Sequence, residues 1–581
     1  MTIPTARARS TERFSIKMSY VLFPVFFLVL VQFFAAALSI FGLPFALLLI
    51  LSSVISLISA KMMTDSITHV ISWKQSLYML VAASLTTLLF LLRINWHIND
   101  YICPTGLLGL VTQVADGTFP VSFLSFPEFP MNYHQGFIFV AGSLSYIFSI
   151  LPSIAIKITY GILFFLVNIT AMLYLLSVRN KYYVLIPLLF VGISSSSTKW
   201  SIAIRIHNYI NICEQGVSNS WPLSFLLILL FLFMIEHYTA SVRKILQVSL
   251  LILASATINA TVFSILILSI LIIFLHQKYY ARTFNATYLP TYISAAILIW
   301  LIPHFIPSAF LHGIMYDTPQ YGIRILETPL FKYCKHMVRY LLLSGPIALL
   351  GLWLAYCSLK RKNADVLTVL SAMLCVSFFF PVIFIFKNID MWDNLHKFAT
   401  ANMFISILLA LLFLAKPAFT RKITFALVLC VLLSLPATYD FMRYRLSFDF
   451  SNHVYPDEQI ADVVSFLQSS DTKVLIPFEN DDGGTCEEYG YSAIAQHAGI
   501  TLRYSYFSNF LLDETFEAET DKAQHWAQDA QLRNEILENL QDDEFLLIKK
   551  EYGDEFHTRI TTNEHQSKNR SIIEFNNYLL Y

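Results

Sequence analysis

The chain has 581 residues, 56% of them hydrophobic and 13% charged, about half the charged share of a soluble domain. Its formal net charge is zero, so no overall field favours a polyanion, and no basic run of the kind that tracks a phosphate backbone is present. Nucleic acid is thereby excluded as a partner class. The seven cysteines are scattered, with no CxxC pair and no histidine at ligand spacing; they define no metal site and read as small apolar residues in or near membrane segments.

In chain order, Arg7, Arg9, Arg13 and Lys17 mark residues 1–19 as a cytoplasmic N-terminus ahead of the first apolar stretch, 20–40. That stretch is too long for a signal h-region and has no small-residue cleavage site, which makes it a retained span. Further apolar segments that could span fall at 42–60, 76–93, 152–177, 182–198, 219–236, 245–257, 259–275, 289–305, 337–357, 365–386, 398–415 and 423–439. The sequence therefore predicts a mostly α, polytopic transmembrane region over 20–441 with about thirteen spans.

One more apolar stretch, 135–150, decides the parity. If it lies at the membrane surface, as part of a long outer loop over 94–151, every short basic loop falls on one side. These are the N-terminus, Lys61/Lys74, Arg179/Lys181, Arg243/Lys244, Lys278/Arg282, Lys360-Arg361-Lys362 and Lys416/Arg421/Lys422. If it crosses, the first two groups face the other five. The positive-inside rule selects the first arrangement, with the N-terminus cytoplasmic and residues 442–581 outside. The spans are almost free of ionisable residues, which disfavours an ion-coupled transporter.

The outer loops hold the polar chemistry. "WHINDYICPTGLLGLVTQVADGTFP" (96–120) carries Asp100 and Asp116 with no Lys or Arg beside them. Asp100 follows a span directly, where neighbouring apolar rings can raise its pKa and make it a usable base. Leu107, Leu108, Leu110, Val111 and Val114 then fall largely on one helical face, as expected of a helix lying in the interface. A Pro/aromatic connector leads to Asn132, Tyr133 and His134 in "NYHQG", which read either as an acceptor pocket or as interfacial anchors. Later outer loops place Arg205 and His207, Arg324, and His396 with Lys397 at span ends, where they suit a phosphate clamp or snorkelling to headgroups.

The surface helix ending in "DGTFP", the connector, and "NYHQGFIFVAGSLSYIFSI" resemble the first outer loop of the GT-C superfamily of polytopic glycosyltransferases, and most of all a bacterial branch with a G-F-P … N-Y-H-x-G pattern. "WDNLHKFATANMF" and "DEQIADVVSFL…KVLIPF…YSAIAQHAGITLRYSYF" are similar to the same branch. The resemblance implies an inverting transfer of a sugar from a polyprenyl phosphate to a glycan, lipid or protein acceptor at the outer face of a bacterial inner membrane. Asp100 matches the position of the general base, with Asp116 second. In that superfamily a His or a second carboxylate often follows the acid closely; here Asp100 is followed by "YICPTG" and His97 precedes it.

No metal or other cofactor is indicated. Asp100, His134 and Asp317 are conceivable ligands of a divalent cation, yet their spacing carries no such signal. Residues 442–581 predict a small extracytoplasmic α/β domain: Ile460, Val463, Val464 and Leu467 on one face of a helix, strands at "KVLIPF" and "EFLLIKK", and three or four strands in all. Beside the transferase stands a reading of a different class, a non-catalytic envelope flippase, transporter or assembly factor with the same layout. A polymerase or ligase of surface glycans would share the lipid-linked donor.

Overall fold

The computed structural model describes residues 15–65, 67–91, 107–122, 135–195, 221–236, 242–281, 293, 330–361, 365–385, 392–446, 460–470, 474–477, 494–495, 498, 500–502, 544–549, 572–575 and 578–581. The chain divides into two units, one comprising 1–43, 47–94 and 160–448, the other 44–46, 95–159 and 449–581.

A short strand, β1 (Ser15–Lys17), precedes helix α1 (Met18–Ser39); α2 (Phe45–Thr64) follows, then β2 (Val70–Ser72), antiparallel to β1, and α3 (Trp73–Leu91). Ser72 starts α3 through a reciprocal box: its N–H donates to Gln75 Oε1 at 3.1 Å and Gln75 N–H donates back to Ser72 Oγ at 3.4 Å, which satisfies two of the orphan donors of a helix start. Next come α4 (Leu107–Ala115), α5 (Gly136–Phe148), α6 (Pro152–Ser177), a 3-10 turn at Lys181–Leu185, α7 (Ile186–Gly192), α8 (Trp221–Glu236) and α9 (Val242–Ile258). They are followed by α10 (Ala260–Leu275) with a π turn at His276–Ala281, α11 (Leu330–Leu359), α12 (Val366–Ile385), α13 (Trp392–Leu414) and α14 (Pro417–Leu446). The chain ends in α15 (Ala461–Ser469) and strands β3 (Val474–Pro477), β4 (Thr501–Leu502), β5 (Glu544–Lys549), β6 (Ile573–Glu574) and β7 (Tyr578–Leu580).

The fold is mostly helical. Among the described residues seven helices are long and apolar enough to cross a membrane: α1, α2, α6, α10 with its π turn, α11, α13 and α14. The chain is a multi-pass membrane protein. α5, α7 with its 3-10 turn, α8 and α12 up to Pro381 are apolar but shorter, α3 and α9 are helical without joining the seven, and the expected segment 289–305 lies outside the described residues, residue 293 apart. α5 has 13 residues, about 20 Å at the α-helical rise, short of a hydrocarbon core of roughly 30 Å.

In the first unit α8 is buried on every side from Trp221 to Ile235, as a helix apolar all round must be. Phe225 of α8 stacks on Phe404 of α13 with centroids 4.3 Å apart, and Phe190 of α7 lies 5.8 Å from the same ring. α11, α12 and α13 pack on one another around a buried polar knot. Asn402 Nδ2 donates to the Tyr340 hydroxyl (2.6 Å) and to Ser344 Oγ (3.3 Å), Ser377 Oγ donates to Asn402 Oδ1 (2.5 Å), and Tyr340 donates to the Ser377 carbonyl (2.7 Å).

Directly after Ser344, α11 kinks. Gly345 has φ 71° and ψ 171° and Pro346 follows, a conformation essentially reserved for glycine. The kink lets the chain just past α7 approach: a Cβ on Gly345 would stand 3.1 Å from the Ser194 carbonyl. Ser194 is held in turn from α14, its hydroxyl 2.9 Å from Thr438 Oγ1 and its carbonyl accepting from Ser434 Oγ at 3.0 Å. Two turns along, a Cβ on Gly351 would collide with Ser406 of α13, so small residues set the α11–α13 spacing, as in other membrane bundles.

In the C-terminal part of the second unit the strands form a sheet in the order β4–β3–β5–β7–β6, the first three parallel and the last two pairings antiparallel. The predicted face of α15 is buried at Ile460, Val463, Val464 and Leu467, and Phe466 packs against Phe545 of β5 and Phe575. The sheet has five strands where the sequence predicts three or four; β4 and β6, two residues each, are too short to leave an alternating pattern.

Asn402→Ala removes three side-chain bonds at once, whereas Ser344→Ala removes one. The first is expected to cost roughly 1–3 kcal/mol and to lower the thermal melt in detergent more than the second. Equal shifts would rule out the knot as the tie between the three helices.

Candidate functional site

α4 runs through "LLGLVTQVA" and stops at "DG". Asp116 occupies the C-cap, and the backbone closes in a Schellman pattern, with Gly117 N–H donating to Val114 O at 3.0 Å and Thr118 N–H to Gln113 O at 2.8 Å. Gly117 sits at φ 85°, where a side chain would be strained. The Gln113 amide then holds the returning strand at both ends: Nε2 donates to Ser122 O at 3.0 Å and Oε1 accepts the Ser122 N–H at 3.0 Å. The helix end carrying Asp116 is therefore fixed by main-chain and side-chain bonds together.

α5 packs against α4 because Gly142 leaves room for it; a Cβ there would collide with the Val114 side chain. The residues expected to rest on the lipid interface, Leu107, Leu108, Leu110, Val111 and Val114, are all at most 3% exposed. The apolar face of α4 is thus covered by protein rather than by lipid. Beside the helix end stands an aromatic group. Phe119 meets Phe139 of α5 edge-on (4.9 Å), and Phe45 meets both Phe139 (6.2 Å) and Tyr146 (4.9 Å). Phe45 and Tyr146 come within 3.8 Å of the point where Gly117 would carry a Cβ.

Asp116 is exposed to water, yet its partial burial desolvates the carboxyl and raises it above the ordinary carboxylate range. The negative end of the α4 dipole acts in the same direction. The group is both reachable from water and more basic than an ordinary aspartate, the pair of properties a general base requires.

Of the other candidates, Asp100, Asn132, Tyr133, His134, Arg205, His207 and Arg324 lie outside the described residues, as does Asp317. His396 falls in the first turns of α13. Lys397, in the same helix, is half-buried, five residues and therefore about 7.5 Å along the axis from Asn402. An ammonium there can serve a phosphate as a point charge. Asp116 belongs to the second unit and Lys397 to the first.

Sequence reasoning missed the polar knot under Lys397. Its trace was present as Tyr340 and Ser344 at i, i+4 and as Asn402 in an apolar helix, the spacing that puts polar groups on one face. Among the described residues no group of three or more His, Cys, Asp or Glu could hold a metal ion. No protein-family model matches the chain and no curated protein matches its sequence.

Gly142→Ala overpacks the α4–α5 contact at an expected cost of about 1–3 kcal/mol; because the added methyl falls on the Val114 Cβ itself, Val114→Gly in the same chain, and not Val114→Ala, should relieve the clash, and a Gly142→Ala variant that melts with the wild type would count against the contact. Asp116 also makes stability depend on pH. Because its pKa is raised on folding, its contribution is full below the ordinary carboxylate range and is lost as pH rises through the folded value. The melting temperature of the wild type relative to Asp116→Asn should fall across that window and then level off, and a difference constant with pH would remove the shift.

Proposed function

We propose that the chain is a GT-C-like integral membrane glycosyltransferase, passing a sugar from a polyprenyl phosphate to a hydroxyl of an extracytoplasmic glycan, lipid or protein acceptor. The observation that carries this reading is the Asp116 carboxylate, held at a bonded helix end and made more basic by desolvation. It stands in the "DGTFP" turn through which the sequence resembles that superfamily.

The chemistry asks for a base and cations. The base takes the acceptor hydroxyl proton, the freed oxygen forms a bond to the anomeric carbon from the face opposite the phosphate, and the bond from that carbon to the phosphate oxygen breaks. Inversion follows from the single displacement. Cations at the headgroup level stabilise the leaving phosphate; Lys397, His396, Arg205, His207 and Arg324 are the residues assigned to it, and Asn132, Tyr133 and His134 to the acceptor. Asp100 and Asp116 are the two bases proposed. The arrangement of about thirteen spans, with a cytoplasmic N-terminus and residues 442–581 as an α/β domain outside a bacterial inner membrane, belongs to the same proposal.

A flippase or assembly factor is the second reading. It draws on α6, where Thr159 Oγ1, Asn168 Oδ1 and Thr170 Oγ1 are buried without a hydrogen-bond partner among the described residues, the kind of groups a polar path would use.

Sugar transfer should be measured for the purified wild type, Asp100→Asn and Asp116→Asn, with pooled native lipid-linked sugars and a mixed acceptor extract, folding being checked by thermal melt. The folded variant that lacks the base is expected to lose about two or more orders of magnitude. Full activity in both variants would dismiss both acids as the base. Movement of the lipid-linked sugar across proteoliposomes without any transfer would favour the second reading.

A further inference from the structure

One end of the first unit gathers cations around a single aromatic ring. His276 Nε2 lies 2.8 Å from the Leu359 carbonyl, and the Tyr280 hydroxyl donates to the Lys360 carbonyl at 3.3 Å. The π turn after α10 thereby occupies the C-terminal carbonyls of α11 and fixes how the chain leaves that helix. Immediately beyond, the Arg361 guanidinium stands 5.2 Å from the Phe413 ring centroid, and the Lys416 ammonium stands 5.4 Å from the same centroid. Phe413 is braced edge-on by Phe419 at 5.2 Å, and Phe419 by Trp353 at 6.2 Å.

Two cations sharing one ring repel each other unless an anion joins them. Lys416 registers this: its ammonium titrates below the ordinary lysine range, through desolvation first and the Arg361 charge second, with Asp365 offsetting part. Asp365 is itself engaged as the cap of α12, accepting the Thr368 N–H at 3.1 Å. Among the described residues neither Arg361 nor Lys416 closes an ion pair. The turn that carries Lys416 opens α14, with the N–H groups of Phe419 and Thr420 directed to the Lys416 carbonyl at 2.9 and 3.1 Å, and the positive end of that helix adds to the local potential.

We propose that Arg361 and Lys416 form a binding site for the phosphate of an anionic phospholipid headgroup, in the leaflet on the side of the basic loops. The apolar residues next to the cations select a lipid over a free phosphate. Trp353 and Tyr356 on α11 and Phe425 on α14 are exposed on the apolar helices that lead away from the two charges, where acyl chains run. The Lys360 ammonium over the Tyr356 ring, 4.5 Å from its centroid, adds a third charge at the same level. Basic pockets between membrane helices bind such headgroups on this physical basis.

The test uses the full-length protein, delipidated in a neutral detergent and titrated with phosphatidylglycerol, phosphatidylcholine or inorganic phosphate, with binding followed by native mass spectrometry and by thermal melt. Phosphatidylglycerol should bind more tightly than phosphatidylcholine. The R361Q/K416Q variant should lose that preference by roughly tenfold, while the charge-keeping Lys416→Arg retains it. Equal binding of the two lipids by the wild type would overturn the proposal whatever the variants do. So would a folded R361Q/K416Q chain that keeps the preference. Inorganic phosphate raising the melt as much as phosphatidylglycerol would assign the site to a soluble anion instead.

Discussion

A polar group inside an apolar bundle has to find its partner within the protein, because lipid offers none. Asn402 is where this chain meets that constraint. Its amide engages Tyr340 and Ser344 of α11 and Ser377 of α12, so the register of α11, α12 and α13 is fixed at these four residues. Apolar side chains alone leave a helix free to slide by a turn at little cost, whereas four groups that must meet leave one alignment. The stacked Phe225 and Phe404 and the contact of Gly351 with Ser406 then fill the space that this alignment defines.

The candidate base depends on a different device. Nothing in α4 needs an acid at its C-terminal end, and the helix dipole works against one there. What holds Asp116 in place is the closure around it: the Schellman bonds, the Gln113 clamp on Ser122, and the α4–α5 contact allowed by Gly142. Local unfavourable electrostatics are thus imposed by a well-bonded scaffold, an arrangement common where a group has to stay basic.

Much of the fold could be read from residue pattern. The apolar windows at 20–40, 42–60, 152–177, 259–275, 337–357, 398–415 and 423–439 correspond to helices long enough to span, since membrane helices announce themselves by composition over some twenty residues. The buried face of α15 and the strands β3 and β5 followed from periodicity in the same way. What the pattern could not supply was pairing. An apolar face such as Leu107–Val114 reads identically whether lipid or another helix covers it, and only the absent side chain at Gly142 decides the matter. The polar knot was hidden for a related reason. Tyr340, Ser377 and Asn402 are separated by 37, 25 and 62 residues, and no local signal links them. For the site, the "DG" that ends α4 was legible as a helix stop, while the rings of Phe45 and Tyr146 beside it came from distant sequence.

The break at Gly345–Pro346 makes α11 two struts meeting at an elbow rather than one rod. The upper strut carries Tyr340 and Ser344; the lower carries Gly351, Trp353 and the chain end at Arg361. Because Ser194 fills the inside of the elbow and is itself tied to Ser434 and Thr438, the joint is buttressed from α14. The two struts can therefore take different directions, the upper one aligned by the polar knot and the lower one seated on α13 where Gly351 meets Ser406, which a single straight helix could not do at both ends.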